Sequence, residues 1–160
     1  MAYLLDSNVF IEAKNHYYGP AICPGFWEWL DHAHANGKVL SIKRVRDELM
    51  GRQDWLSNWA KQRRTMFVET NEGQTYESLK ILTGWVLDNY TGAAQAKFLG
   101  DADFVLVGYA HAYKHMVVTT EIASSGKQVK IPNACKAMDV GCVNPFQMLA
   151  AEKVKFYFPK

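Results

Sequence analysis

Apolar residues in this chain come in short runs separated by longer amphipathic stretches. Tyr3-Leu4-Leu5 is such a run, and Asp6-Ser7-Asn8 interrupts it before Val9-Phe10-Ile11 continues. A brief apolar run bounded by polar residues predicts a buried strand followed by the start of another element. Val39-Leu40-Ser41-Ile42 and Met116-Val117-Val118-Thr119-Thr120 repeat the pattern. Weaker strand signals fall at Met66 to Glu69, Val129 to Ile131 and Phe156 to Phe158.

Between these runs the period lengthens to that of a helix. Pro24 suits a first turn and Gly37 an end, with Phe26, Trp27, Leu30, Ala33 and His34 at helical spacing between them. Lys43 to Met50 reads as a short helix closed by Gly51. Its positions Val45, Glu48 and Leu49 share a face. Asp54 is a cap for a helix bearing Trp55, Trp59 and Arg63 on one side. Glu72 to Asn89 reads as a long helix with the stripe Tyr76, Leu79, Leu82 and Val86, ended by Thr91-Gly92. The stretch after Asp101 is apolar nearly all round, which predicts a buried helix. Gly108 and Ala110 suit close packing of that helix on a strand. Pro132 to Met138 and Pro145 to Lys153 are short helices, and Glu12 to Cys23 reads as an ordered loop. Alternating strands and helices predict an α/β sandwich around a central parallel sheet, in one domain spanning residues 1–160.

Composition narrows the class. At 160 residues the chain is long enough for a full core. No apolar run approaches the roughly 20 residues of a membrane span, and no secretory leader opens the chain. A cytoplasmic protein with no membrane partner is expected. Cys23, Cys135 and Cys142 are odd in number and lack a C-x-x-C pair, so neither a disulfide framework nor a zinc knuckle is expected. The net charge of +2 is too small for bulk attraction to polyanions. Its distribution is uneven, with Lys43, Arg44, Arg46, Arg52, Lys61, Arg63 and Arg64 in one stretch. Arg44 and Arg46 are the candidate substrate-binding cations. The alternative is a solvated helix face.

The chemistry lies in the acids. Asp6 and Glu121 each follow an apolar strand-like run, Asp103 begins the buried helix, and Glu48 lies in the helix after the second strand. In open α/β sheets, ligands bind at the carboxyl ends of the strands, and all four positions fall near that edge. Carboxylates brought together repel, so some stay protonated unless a cation joins them. Hard oxygen ligands select Mg²⁺ or Mn²⁺. Ser7, Asn8, Thr119 and Thr120 supply neutral groups to orient carboxylates or water. Each acid also has a plainer role open to it. Asp101 and Asp103 suit a helix N-terminus, and Glu48 can pair with Arg44 or Arg52. Glu121 can be a solvated strand end, and Asp6 a local cap. The Trp55, Trp59 and Arg63 face reads either as a base-stacking platform or as packing. His111 and His115, at i and i+4, read as zinc ligands or as surface residues.

The order strand–D-S-N, Glu48 on the following helix, A-D-x-x-L-V-x-Y-A around Asp103, then V-V-T-T-E at Glu121 resembles the PIN domain. Asp6, Glu48, Asp103 and Glu121 match that family's acids in turn, and Thr119 its strand-end hydroxyl. Tyr17-Tyr18, Cys23-Pro24-Gly25-Phe26-Trp27 and Ile131-Pro132-Asn133-Ala134-Cys135 resemble a less characterised prokaryotic branch. Glu121 departs from the commoner Asp and lengthens the reach, and Gly108 stands where Ala is usual.

The resemblance implies a three-layer α/β/α sandwich with a mostly parallel sheet. It further implies a Mg²⁺- or Mn²⁺-dependent endoribonuclease, the toxin of a toxin–antitoxin pair, with an antitoxin partner and a homodimer. Asp6, Glu48, Asp103 and Glu121 would serve as catalytic and metal-holding residues, supported by Ser7, Asn8, Asp101 and Thr119. Two other classes stay open. One is a catalytically silent PIN-like module binding nucleic acid or protein. The other is a phosphotransferase of the haloacid dehalogenase type, although Asn8 stands where that chemistry needs a second Asp.

Overall fold

The computed structural model describes all 160 residues. Five strands form one sheet in the order β3-β2-β1-β4-β5. They are β1 (Tyr3–Leu5), β2 (Val39–Ile42), β3 (Phe67–Val68), β4 (Met116–Val118) and β5 (Cys142–Val143). All four pairings are parallel. Leu4 and Leu5, Val39 and Ile42, and Val117 and Val118 are fully buried. That is why these strands read as continuous apolar runs rather than alternating ones.

The connections carry helices to both faces. After β1 come α1 (Ser7–Glu12), a π-helical turn (Ala13–Tyr17) and α2 (Pro24–Ala35). After β2 come α3 (Lys43–Met50) and α4 (Trp55–Lys61). The connection from β3 to β4 crosses to the far side of β1 with α5 (Gly73–Asn89), α6 (Gly92–Gly100) and α7 (Ala102–Tyr113). It is followed by α8 (Ile131–Ala137), between β4 and β5, and α9 (Pro145–Ala151), after β5. Right-handed crossovers put the α1–α4 group on one face and the α5–α8 group on the other. Side-by-side packing of α1 with α3, α3 with α4, α5 with α7 and α7 with α8 agrees. The three-layer sandwich is therefore the fold, and the sheet is wholly parallel.

Several expectations change. Glu12 to Tyr17 are helical rather than loop, and the element expected to start after β1 is α1: Asp6 in extended conformation sits at the N-cap and the chain winds immediately. The helix α6 lies past Thr91, in a stretch for which no element was expected. Val129 to Ile131 is not a strand, since Ile131 is the first residue of α8. Phe156 to Phe158 is not a strand either, and the fifth strand is Cys142–Val143. Gly108 packs on α5 rather than on a strand, and a Cβ there would run into Leu79. In α5 the buried positions are Thr75, Ser78, Leu82 and Val86, whereas Tyr76 is exposed. His111 and His115 do not share a helix face. The left-handed Lys114 ends α7 between them, His111 Nδ1 meets the Ser78 hydroxyl at 2.8 Å, and His115 Nδ1 accepts from the Ala2 N–H.

Candidate functional site

The sheet order reverses between β1 and β4, and Asp6 lies at that switch. Its N–H donates to Val118 O at 3.0 Å, tying the end of β1 to the end of β4. The side chain is 1% exposed and thus nearly cut off from solvent. Thr119 is buried too, and its hydroxyl donates to Asp6 Oδ2 at 3.0 Å, while Ser7 Oγ donates to Oδ1 at 3.3 Å. Thr119 Oγ1 in turn accepts the Glu121 N–H at 3.1 Å. One hydroxyl thus fixes the Asp6 carboxylate and folds the chain so that Glu121 follows at the same edge.

The Glu121 side chain has a definite place. Its Oε2 accepts the Ile131 N–H at 2.8 Å, at the start of α8. The longer reach of Glu over Asp is used to span from the end of β4 to that helix N-terminus, where a carboxylate is favoured. Asp101 occupies the N-cap position of α7 without a side-chain capping bond, and Asp103 lies in the first turn. Asp101, Asp103 and Glu121 line one small cleft together with Lys97 and Lys130.

The acids also act on one another through their charges. Burial raises the Asp6 carboxyl to about 6, opposed by the Thr119 hydrogen bond and reinforced by Glu121 and Glu48. Burial raises Asp103 further, to about 8, and Asp6, Glu121, Asp101 and Glu48 all push it the same way. Glu48 is solvent-exposed, whereas Val45 and Leu49 on the same helix are buried. It stands at the outer lip of the group. None of the four acids takes part in an ion pair, including the expected Glu48 pairings with Arg44 or Arg52.

Not every candidate joins the group. Arg44 donates to Gly100 O at 2.7 Å, beside the start of α7. Arg46 points to α4, donating to Ala60 O and Lys61 O at 3.1 and 2.9 Å, and so satisfies helix-end carbonyls. Asn8 is half-buried in α1 and makes no side-chain hydrogen bond. Trp59 is buried. Arg63 lies over its ring at 4.6 Å while clasping Asp31 with bonds of 2.6 and 2.7 Å. That face therefore serves mainly to pack α4 against α2. Lys97 was invisible in the sequence reading because the helix that carries it was not foreseen.

As they stand, no three His, Cys, Asp or Glu side chains are gathered closely enough about one point to hold an ion. In kind the donors nevertheless fit a hard divalent cation. They are carboxylates with a neighbouring hydroxyl, mutually repelling and unpaired with any cation of the chain.

A wholly parallel five-stranded sheet in this order, flanked by helices on both faces, is a PIN-like fold. The chain belongs to the family described as Domain of unknown function (DUF4411), whose profile matches residues 3–156. Among solved structures it is similar to VapBC2 from Rickettsia felis, crystallised bound to a DNA fragment from its promoter. That likeness has a TM-score of 0.56 at 13% identity and covers 90% of this chain and 98% of the other. At that identity it is a likeness of fold. No curated protein matches the chain. No helix is long and apolar enough to cross a membrane.

Proposed function

We propose that this protein is a Mg²⁺- or Mn²⁺-dependent endoribonuclease that hydrolyses RNA phosphodiester bonds. The observation that carries the reading is the buried Asp6 carboxylate at the switch of the sheet, oriented by Thr119 and Ser7, with Asp103, Glu121 and Glu48 around it and no cation of the chain to neutralise them. A divalent ion at such a site lowers the pKa of water and stabilises charge on the leaving oxygen. Asp6 and Asp103 are the residues to hold it, with Glu48 and Glu121 closing the site from its lip and from β4. Ser7 and Thr119 keep the Asp6 carboxylate oriented, which is the work of groups behind metal ligands. The Glu121 oxygen that the Ile131 N–H leaves free would accept a proton from attacking water. Arg44, tethered beside the start of α7, and Lys97 and Lys130 in the adjoining cleft, supply positive charge for RNA phosphates.

The structural neighbour VapBC2 lends support to the further reading that the protein is the toxin of a toxin–antitoxin pair. An antitoxin would then cover this edge, and a homodimer is the expected assembly. Its compartment is the cytoplasm, in keeping with three free thiols. A second reading, a catalytically silent module binding nucleic acid or protein, draws on the side chains being unassembled for metal.

Cleavage of a labelled RNA in Mn²⁺ separates the two readings. The expected result is turnover by the wild type and none above background by Asp6→Asn, with an unchanged circular dichroism spectrum. Equal cleavage by both proteins, or none by either, would falsify the nuclease.

A further inference from the structure

The carboxyl edge of the sheet carries three kinds of side chain in spatial order. Beside β2 and β3 lie cations, Lys43, which is paired with Glu69 at 3.3 Å, and Arg64, both lining a cleft with Phe67. Beyond β1 and β4 lie the acids. Beyond β5 lie aromatic rings. Phe146 is three residues past Val143, which is in register with Val118, and it meets Tyr17 edge to face at 5.0 Å and 88°. Adjacent strands stand about 4.8 Å apart, so β2 to β5 spans about 14 Å. That is room for a short run of nucleotides.

The aromatic pair is more exposed than packing requires. Tyr17 is 54% and Phe146 44% exposed. Beneath them Tyr18, stacked on Phe26 at 4.7 Å, already seals the core, and Trp27 Nε1 donates to Tyr18 O at 2.7 Å to hold it there. The outer rings border a shallow apolar cleft floored by Val9, Ala13 and Pro145 and reaching Thr120. Thr120 stands between Thr119 and Glu121 in the chain. The cleft is too slight to swallow a base, but its rim offers ring faces on which one can stack.

We infer that Tyr17 and Phe146 form a base-stacking subsite beside the acids, which takes one unpaired base of the RNA. The inference rests on the nuclease reading. Stacking is sequence-tolerant and needs an unpaired base, while the cations hold the phosphates. An A-form duplex offers phosphates but buries its base faces. The cation–acid–aromatic order fits a strand lying across the edge with its scissile phosphate over Asp6.

The test uses the full chain in an Asp6→Asn background, with Mn²⁺ and short oligoribonucleotides carrying 2-aminopurine at successive positions. One position is expected to be quenched on binding. Tyr17→Ala should relieve that quenching and weaken binding roughly five-fold or more. Tyr17→Phe should behave like the parent. Phe146→Leu and Tyr17→Leu, which fill the cleft without a π-face, should match Tyr17→Ala and carry the test if the alanine variant does not fold. An abasic site at the quenched position should erase the difference between parent and Tyr17→Ala, which a merely structural role would not do. The same RNA as a duplex should bind more weakly. Absence of any quenched position, or leucine variants that bind like the parent, overturns the subsite. If wild-type protein still cleaves in Mn²⁺, only the subsite falls. If it neither binds nor cleaves RNA, both readings fall together.

Discussion

A carboxylic acid 1% exposed at the end of a strand is costly unless something offsets it. At Asp6 two hydroxyls do part of that work, and the carboxyl still titrates near 6. Asp103 has no hydrogen bond to relieve it and titrates near 8, held up by burial and by four neighbouring acids. Its charge is thus a cost to the folded chain in the absence of metal. Asp103→Asn removes that charge and keeps the shape. The expected outcome is a variant more stable than the wild type above pH 8 in EDTA, by about 1 kcal/mol or more, yet unable to cleave RNA. Urea denaturation and the cleavage assay read the two effects separately. A variant less stable than wild type under those conditions would mean that Asp103 is not strained by its neighbours.

At the scale of elements, short polar ties set how helices meet around the core. Arg63 joins the end of α4 to α2 by a two-pronged bond to Asp31 and also lies over the Trp59 ring. The pair is partly exposed, so its worth is modest. Arg63→Ala should cost about 1 kcal/mol. Arg63→Lys should recover little of it, since an ammonium cannot match the fork. Chemical denaturation of the three proteins checks both points. Elements with a strong period were legible from the chain. Pro24–Ala35 and Lys43–Met50 fall where capping and spacing put them, and Asp54 does cap α4 through the Ser57 N–H. The misses have physical causes. Glu12 to His16 is polar except for Ala13, so the helical turn there shows no apolar period. The two residues of β5 are too few to show any period. They form a strand only because Val117 and Val118 offer an edge. Ile131 is buried as an α8 terminus, a burial that mimics a strand.

At the scale of the whole molecule, the topology converts four remote acids into one electrostatic unit. The chain's order of acids was legible, and so was the role of Thr119, because a hydroxyl at a strand end is local. The outer position of Glu48, the turning of Arg46 toward α4 and the rings at Tyr17 and Phe146 were not, because each depends on how elements pack.

The unit also sets how global stability follows pH. Both raised carboxyls bind protons more tightly when folded than unfolded, so between the unfolded value of 3.8 and the folded values of about 6 and 8 the native chain carries extra protons. Stability is then greatest at the acid end of that window and is lost as pH rises through it. Above pH 6 only Asp103 still contributes, at up to about 1.4 kcal/mol per pH unit. In EDTA, urea midpoints should therefore fall from pH 6 to pH 8, and Asp103→Asn should flatten the slope. On the proposed function, Mn²⁺ would bind only the ionised, folded form. It should raise the midpoint more at pH 8 than at pH 6 and reverse the trend. A slope indifferent to Mn²⁺ in the wild type would show that the acids, although coupled, do not close on an ion.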